Sequence, residues 1–248
     1  MLMPSFRACR LPLAAAALIL SMAPLLAQTP APQPPKQTWL QRFLGIKPDL
    51  SGGWLFVGFK GDSHDGLYFA VSKDGAHWQP VNFDRPVLWQ QQRGELMRDP
   101  FIQRAPDGSV RLVWTWSTDP AIIGYSTSTN LIYWSKQLQL PVARVLPAAA
   151  TVSAPATYYN PEKKEWLLLF AASDAGSPSQ DRLYATTTAA FQQFQPAQPF
   201  AGKLPGSDAT PKTTFPDGFT QGSFLHLETS EYNRLHNYHG GFDSAQTK

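Results

Sequence analysis

The sequence predicts an all-β protein of the β-propeller type, assembled from four-stranded antiparallel blades, and three recurrences in its 248 residues predict it. Apolar runs begin at Trp54, Val110 and Trp166, two equal steps of 56. A hydroxyl residue stands six positions before an aromatic three times over: Ser72 before Trp78, Ser128 before Trp134 and Thr188 before Phe194. Upstream of the second and third runs, Pro100 and Pro155 lie 55 apart in similar short segments. Self-similarity at a fixed period marks units that cannot bury their faces alone and must stack on one another.

The N-terminal segment is set aside first. Arg7 and Arg10 precede an apolar run from Leu11 to Leu26, then Ala27, then a proline-rich stretch. This is the layout of a signal peptide, residues 1–27, with a retained N-terminal anchor as the alternative, and it predicts a secreted or periplasmic protein with no membrane segment after cleavage. Cleavage after Ala27 removes both arginines and Cys9, the single cysteine, so disulfides and cysteine chemistry are excluded from the remaining chain. The formal charge of +3 then falls to +1. Nothing in that balance argues for a nucleic-acid partner, which needs a clustered basic face. Residues 28–49 read as a proline-rich linker, residues 50–236 as the propeller domain, and residues 237–248 as a polar tail.

Within the domain each unit reads as strand, turn, apolar strand, loop, strand, turn, strand, closed by an aromatic. The central runs are apolar on both alternating faces, as a strand between two neighbouring sheets must be. Turn signals separate them: Asp74-Gly75, Pro106-Asp107-Gly108 and Asn160-Pro161. Trp78, Trp134 and Phe194 are expected to pack between blades rather than to hold a ligand.

The string Leu96-Met97-Arg98-Asp99-Pro100-Phe101-Ile102, with Ala105-Pro106-Asp107-Gly108, Ile123-Gly124-Tyr125-Ser126 and Leu131-Ile132-Tyr133-Trp134-Ser135, resembles the five-bladed propeller of family 43 glycoside hydrolases. The segments 61–67 (GDSHDGL) and 72–78 (SKDGAHW) fit the same family, and the likeness runs from residue 52 to about 195. The resemblance implies an inverting glycosidase acting on arabinose- or xylose-containing side chains of plant-type polysaccharides, without a cofactor. Such an enzyme pairs a base that activates water with an acid that protonates the leaving oxygen. By that resemblance Asp99 matches the base; read from the residues alone, an Arg98–Asp99 surface pair or a turn cap serves as well. Asp62, His64 and Asp65 match a substrate contact at the funnel lip, though Gly61 and Gly66 bracket them as a solvated hairpin would be. Arg98 and Gln221 complete the expected substrate-binding set.

The chain departs from the family at three places. Family members usually show Trp-Ala-Pro and an acidic residue where this chain has Ser153-Ala154-Pro155-Ala156. Residues 215–225 look like the family's closing segment, with Gln221 where its histidine would stand. Residues 50 to 248 hold about 3.5 units of 56, so the expected propeller is incomplete, with three to four blades. Of the later acidic residues, Asp208, Asp217, Glu228, Glu231 and Asp243, none stands out as the acid. Asp217 reads as a turn residue, and Glu228 and Glu231 as the cap of a short helix. A carbohydrate-binding propeller without turnover, or a shortened remnant, is therefore the alternative function. Open sheet edges would be covered by a dimer or a partner. His64, His77, His226, His236 and His239 are scattered and predict no metal site.

Overall fold

The computed structural model describes residues 52–61, 66–92, 94–174, 177–202, 216–219 and 221–239. The signal-peptide and linker segments, Asp62, His64, Asp65, Asp208, Asp243 and most of the polar tail lie outside them. The described residues form β1 (Gly53–Phe59), β2 (Tyr68–Ser72), β3 (Gln79–Pro80), β4 (Arg98–Arg104), β5 (Val110–Ser117), β6 (Ile122–Ser128), β7 (Leu138–Pro141), β8 (Ala149–Asn160), β9 (Glu165–Asp174), β10 (Ser177–Thr188), β11 (Gln198–Pro199), β12 (Gln221–Leu227) and helix α1 (Thr229–His236). Among them no helix is long and apolar enough to cross a membrane.

The strands make three four-stranded antiparallel sheets, ordered β12-β1-β2-β3, β4-β5-β6-β7 and β8-β9-β10-β11. This is an incomplete β-propeller of three blades. The first blade draws its inner strand from the far end of the chain: β12 pairs with β1 in unbroken register, Gly53 opposite Leu227 through Phe59 opposite Gln221. The inner strands are neighbours, β12 against β4 and β4 against β8. At the first contact the Ile102 N–H donates to Ser223 Oγ at 2.9 Å, so an inner-edge amide of β4 finds its acceptor on β12.

Strand alternation explains the doubly apolar runs. On β5, Leu112, Trp114 and Trp116 join Leu55, Val57, Phe69 and Val71 of the first blade in one core. The intervening Val113 joins Phe101, Ile123, Leu168 and Phe170 in a second core against the third blade. Both faces of β5 are therefore taken out of water, at about 25 cal/mol per Å² of apolar surface buried. The fully buried Trp114 lies opposite Gly124 on β6, and a Cβ there would meet the indole at 2.1 Å. That glycine is the space the indole occupies.

The hydroxyl-to-aromatic recurrence has one structural cause. Ser72, Ser128 and Thr188 each accept, at the side-chain oxygen, the N–H three residues on: Gly75 at 2.9 Å, Leu131 at 2.8 Å and Phe191 at 3.0 Å. Those three residues take left-handed φ of 74°, 67° and 58°. For Leu131 and Phe191 the conformation costs about 1 to 2 kcal/mol; burial of both side chains in the inter-blade cores offsets it. Of the aromatics that follow, Trp134 packs between blades, meeting Phe69 of the first blade edge-on at 6.1 Å, and Phe194 meets Phe191; Trp78, expected between blades, meets Phe56 and Phe224 of its own blade.

Helix α1 begins with the expected capping box. The Glu228 side chain accepts from the backbone of Glu231, whose own side chain accepts from the Glu228 N–H at 2.9 Å. Glu231 also takes Arg104 in a two-pronged ion pair, at 2.8 and 2.7 Å, which fastens the helix to the second blade.

Candidate active site

Strand β4 enters its sheet through a bulge. Arg98 faces Thr115 and Phe101 faces Val113, so Asp99 and Pro100 together oppose Trp114. Pro100 donates no N–H, which suits a position outside the ladder. Asp99 takes φ of 53°, the left-handed region, and its side chain is 9% exposed. The expected Arg98–Asp99 pair is present, Arg98 Nε lying 3.4 Å from Oδ2, with Arg98 partly exposed and Asp99 buried.

Three donors reach the same oxygen of the carboxylate. Thr115 Oγ1 donates to Asp99 Oδ2 at 2.9 Å, the Ala154 N–H at 3.3 Å and Arg98 Nε at 3.4 Å. Asp99 Oδ1 has no partner among the described residues. The described contacts thus hold the carboxylate through one oxygen.

The Ala154 donor comes from the third blade, where the entry bulge recurs. Ser153 faces Ala171 and Ala156 faces Leu169, leaving Ala154 and Pro155 opposite Phe170. Ala154 has φ of 47°. Its backbone repeats that of Asp99 with no acid on it. In the first blade the register of β12 is unbroken, with Gly222 opposite Gly58 where the others bulge. Gln221, half-buried, is the first residue of β12 and faces Phe59, as Arg98 faces Thr115 and Ser153 faces Ala171. The structure therefore brings Asp99, Arg98 and Gln221 to one end of the blades, where all three inner strands enter.

The other carboxylates are arranged differently. Glu228 and Glu231 are committed to the cap of α1 and to Arg104, and Asp217 is exposed in the turn with Gly218, whose φ is 78°. Asp84 pairs with Lys60 at 2.6 Å, Asp107 with Ser109 and Arg111, and Asp74 with His77. The Asp99 end also carries acids that escaped the sequence reading: Asp119, Glu95 just before β4 and Asp174 at the end of β9. Asp119 is exposed in the turn between β5 and β6, and Ser117 opposite Ile122 puts that turn at the end where β4 begins. The signal was the polar interruption Ser117-Thr118-Asp119-Pro120 between two apolar runs. Thr115 escaped as well, as the hydroxyl inside the run that begins at Val110. Among the described residues no three His, Cys, Asp or Glu side chains gather to hold a metal ion.

Two histidines elsewhere are shifted in opposite directions. Burial, then the nearby Arg104, hold His226 below its ordinary pKa against the opposing pull of Glu231. The Asp74 side chain raises His77 by hydrogen bond and charge.

A family model described as "Probable glycosyl hydrolase domain" matches residues 49–214. Among solved structures the chain is similar to an α-L-arabinofuranosidase from Clostridium thermocellum, at 10% identity over 59% of this chain and 47% of that one, with a TM-score of 0.45. It is similar to an endo-1,4-β-xylanase from Bacteroides thetaiotaomicron, at 14% identity over 60% and 53%, TM-score 0.34. A thermostable family-43 glycoside hydrolase aligns at 14% identity over 62% and 61%, TM-score 0.33. The chain spans about half the length of the first solved structures it matches. No curated protein matches it.

Proposed function

The chain belongs to the glycosyl hydrolase family related to family 43, and from that premise we propose that it is an exported glycosidase acting on arabinose- or xylose-containing side chains of plant-type polysaccharides. The observation that carries the proposal is the buried carboxylate of Asp99, held by three donors on Oδ2 at the shared entry of the inner strands. Asp99 acts as the general base. Its Oδ1 accepts a proton from water as that water attacks the anomeric carbon, and the configuration there inverts. Arg98 and Gln221, with Asp62, His64 and Asp65, bind the sugar. The reaction also requires an acid for the leaving oxygen, about 6.5 to 9.5 Å from the base. Asp119 is one candidate for it at this end of the blades, beside Glu95 and Asp174; Glu228 and Glu231 are occupied elsewhere.

A second reading is favoured by that same occupation of the downstream acids: a propeller that binds such saccharides without cleaving them. A dimer or a partner protein covering the outer sheet edges is compatible with either.

One comparison separates the readings. The protein is incubated with aryl arabinofuranosides and xylosides and phenol release is followed, alongside the Asp99→Asn and Asp119→Asn variants. Hydrolysis requires release by the parent protein and its loss with Asp99→Asn. A silent parent that is nonetheless retained on arabinan or xylan is the binding protein.

A further inference from the structure

The Thr115 hydroxyl is buried in an otherwise apolar stretch of β5, where a valine would fill the same volume and suit a strand equally well. Burying a hydroxyl is unfavourable unless it finds a partner. The partner it has is Asp99 Oδ2 at 2.9 Å, the shortest of the three contacts to that oxygen. The second donor, the Ala154 N–H, is delivered by a non-glycine residue held at φ of 47°. Strain of that kind persists where the surroundings enforce it.

We propose that Thr115 is a positioning residue for Asp99: with the Ala154 bulge it fixes the carboxylate plane by engaging Oδ2, so that Oδ1 is the oxygen left to take the proton. This rests on the reading of Asp99 as the base. The terminal torsion of an aspartate is broad and nearly two-fold, so an untethered carboxylate exchanges its oxygens and librates. Two donors from two different blades, both on Oδ2, remove that freedom. The contact at 3.4 Å from Arg98 is the longest and restrains it least. A base held in one orientation accelerates the proton-transfer step without tightening substrate binding. The effect of Thr115 therefore falls on kcat.

The test compares Thr115→Val, which keeps shape, with Thr115→Ser, which keeps the hydroxyl. In a protein carrying ¹³C-labelled aspartate, the carboxyl signal of Asp99 is identified by its disappearance in Asp99→Asn. The proposal predicts that the signal moves in Thr115→Val at neutral pH and returns in Thr115→Ser. With an aryl glycoside as substrate, kcat falls about tenfold in Thr115→Val at unchanged KM and recovers in Thr115→Ser. An unmoved signal overturns the role of Thr115 whether or not turnover is seen, and so does a rise in KM at unchanged kcat. If the parent protein turns over no glycoside while the signal still moves in Thr115→Val and returns in Thr115→Ser, the hydrolase reading fails and the positioning role stands.

Discussion

Strands β4 and β8 enter neighbouring blades through the same bulge, each with two residues opposite one, a proline second, and a left-handed non-glycine residue first. In β4 that residue is Asp99, and its carboxylate collects three donors; in β8 it is Ala154, which supplies one of them. The backbone device is common to both blades, while a carboxylate stands on one of them alone. Function in such a fold is added to a repeated geometry rather than built from it. At Ala154 the left-handed backbone carries no functional side chain and directs an N–H at Asp99 Oδ2.

The comparison breaks most visibly in activity. Asp99→Ala gives the β4 bulge the Ala-Pro pair of β8; removing a general base lowers turnover about 10²- to 10⁴-fold. Initial rates on an aryl glycoside, with circular dichroism to show that the sheets persist, measure this. If the variant kept its rate, the two bulges would be functionally alike. Next in size is the carboxylate kept out of the chemistry. Glu231→Gln breaks a two-pronged pair in which each side chain is about 11% exposed. Leaving Arg104 buried without its partner destabilises by about 3 to 5 kcal/mol in chemical denaturation. Turnover of the surviving folded fraction stays at the parent level, which separates Glu231 from Asp99.

The two bulges then answer glycine with opposite signs. Ala154→Gly relieves the left-handed strain and keeps the N–H, so stability rises by about 0.5 to 1 kcal/mol. Asp99→Gly relieves the same strain but strips Thr115 and the Ala154 N–H of their acceptor. Stability falls by about 1 to 3 kcal/mol. Equal signs in denaturant unfolding would show that Asp99 is not the centre of the donor cluster.

The smallest effect is a control on pH. His226 has a depressed pKa in the folded state, so below the ordinary value of 6.5 the unfolded chain binds more protons than the folded one. Its contribution is complete above that pH and is lost as pH falls toward the lowered value. His77, raised by Asp74, has the opposite sign: its contribution is present below 6.5 and lost as pH rises, at a fully exposed site. Melting temperature should therefore drop between pH 7 and pH 5, and less steeply in His226→Gln. An equal or steeper drop in His226→Gln would remove His226 as the cause.

The sequence showed the blades because their period is made locally. Ser72, Ser128 and Thr188 close the same turn through an oxygen only three residues from the amide it accepts. Apolar alternation in β1, β5 and β9 is likewise local, and the pairing of residues 221–227 with β1 agrees with the closing role read for residues 215–225. What stayed hidden is long-range. Thr115 reaches Asp99 across 16 positions and Ala154 across 55, and Arg104 finds Glu231 across 127. A hydroxyl in an apolar run does not announce its partner. The bulges registered only as two prolines 55 apart, because a left-handed residue before proline leaves no composition mark when it is aspartate or alanine.

The most direct test of the account follows the anomeric protons by ¹H NMR while the protein hydrolyses an arabinofuranoside or xyloside of known configuration. If Asp99 activates water from the face opposite the leaving group, the first sugar released has the inverted configuration, and Asp99→Asn releases none. A first product with retained configuration, or equal release by Asp99→Asn, would contradict a base at Asp99.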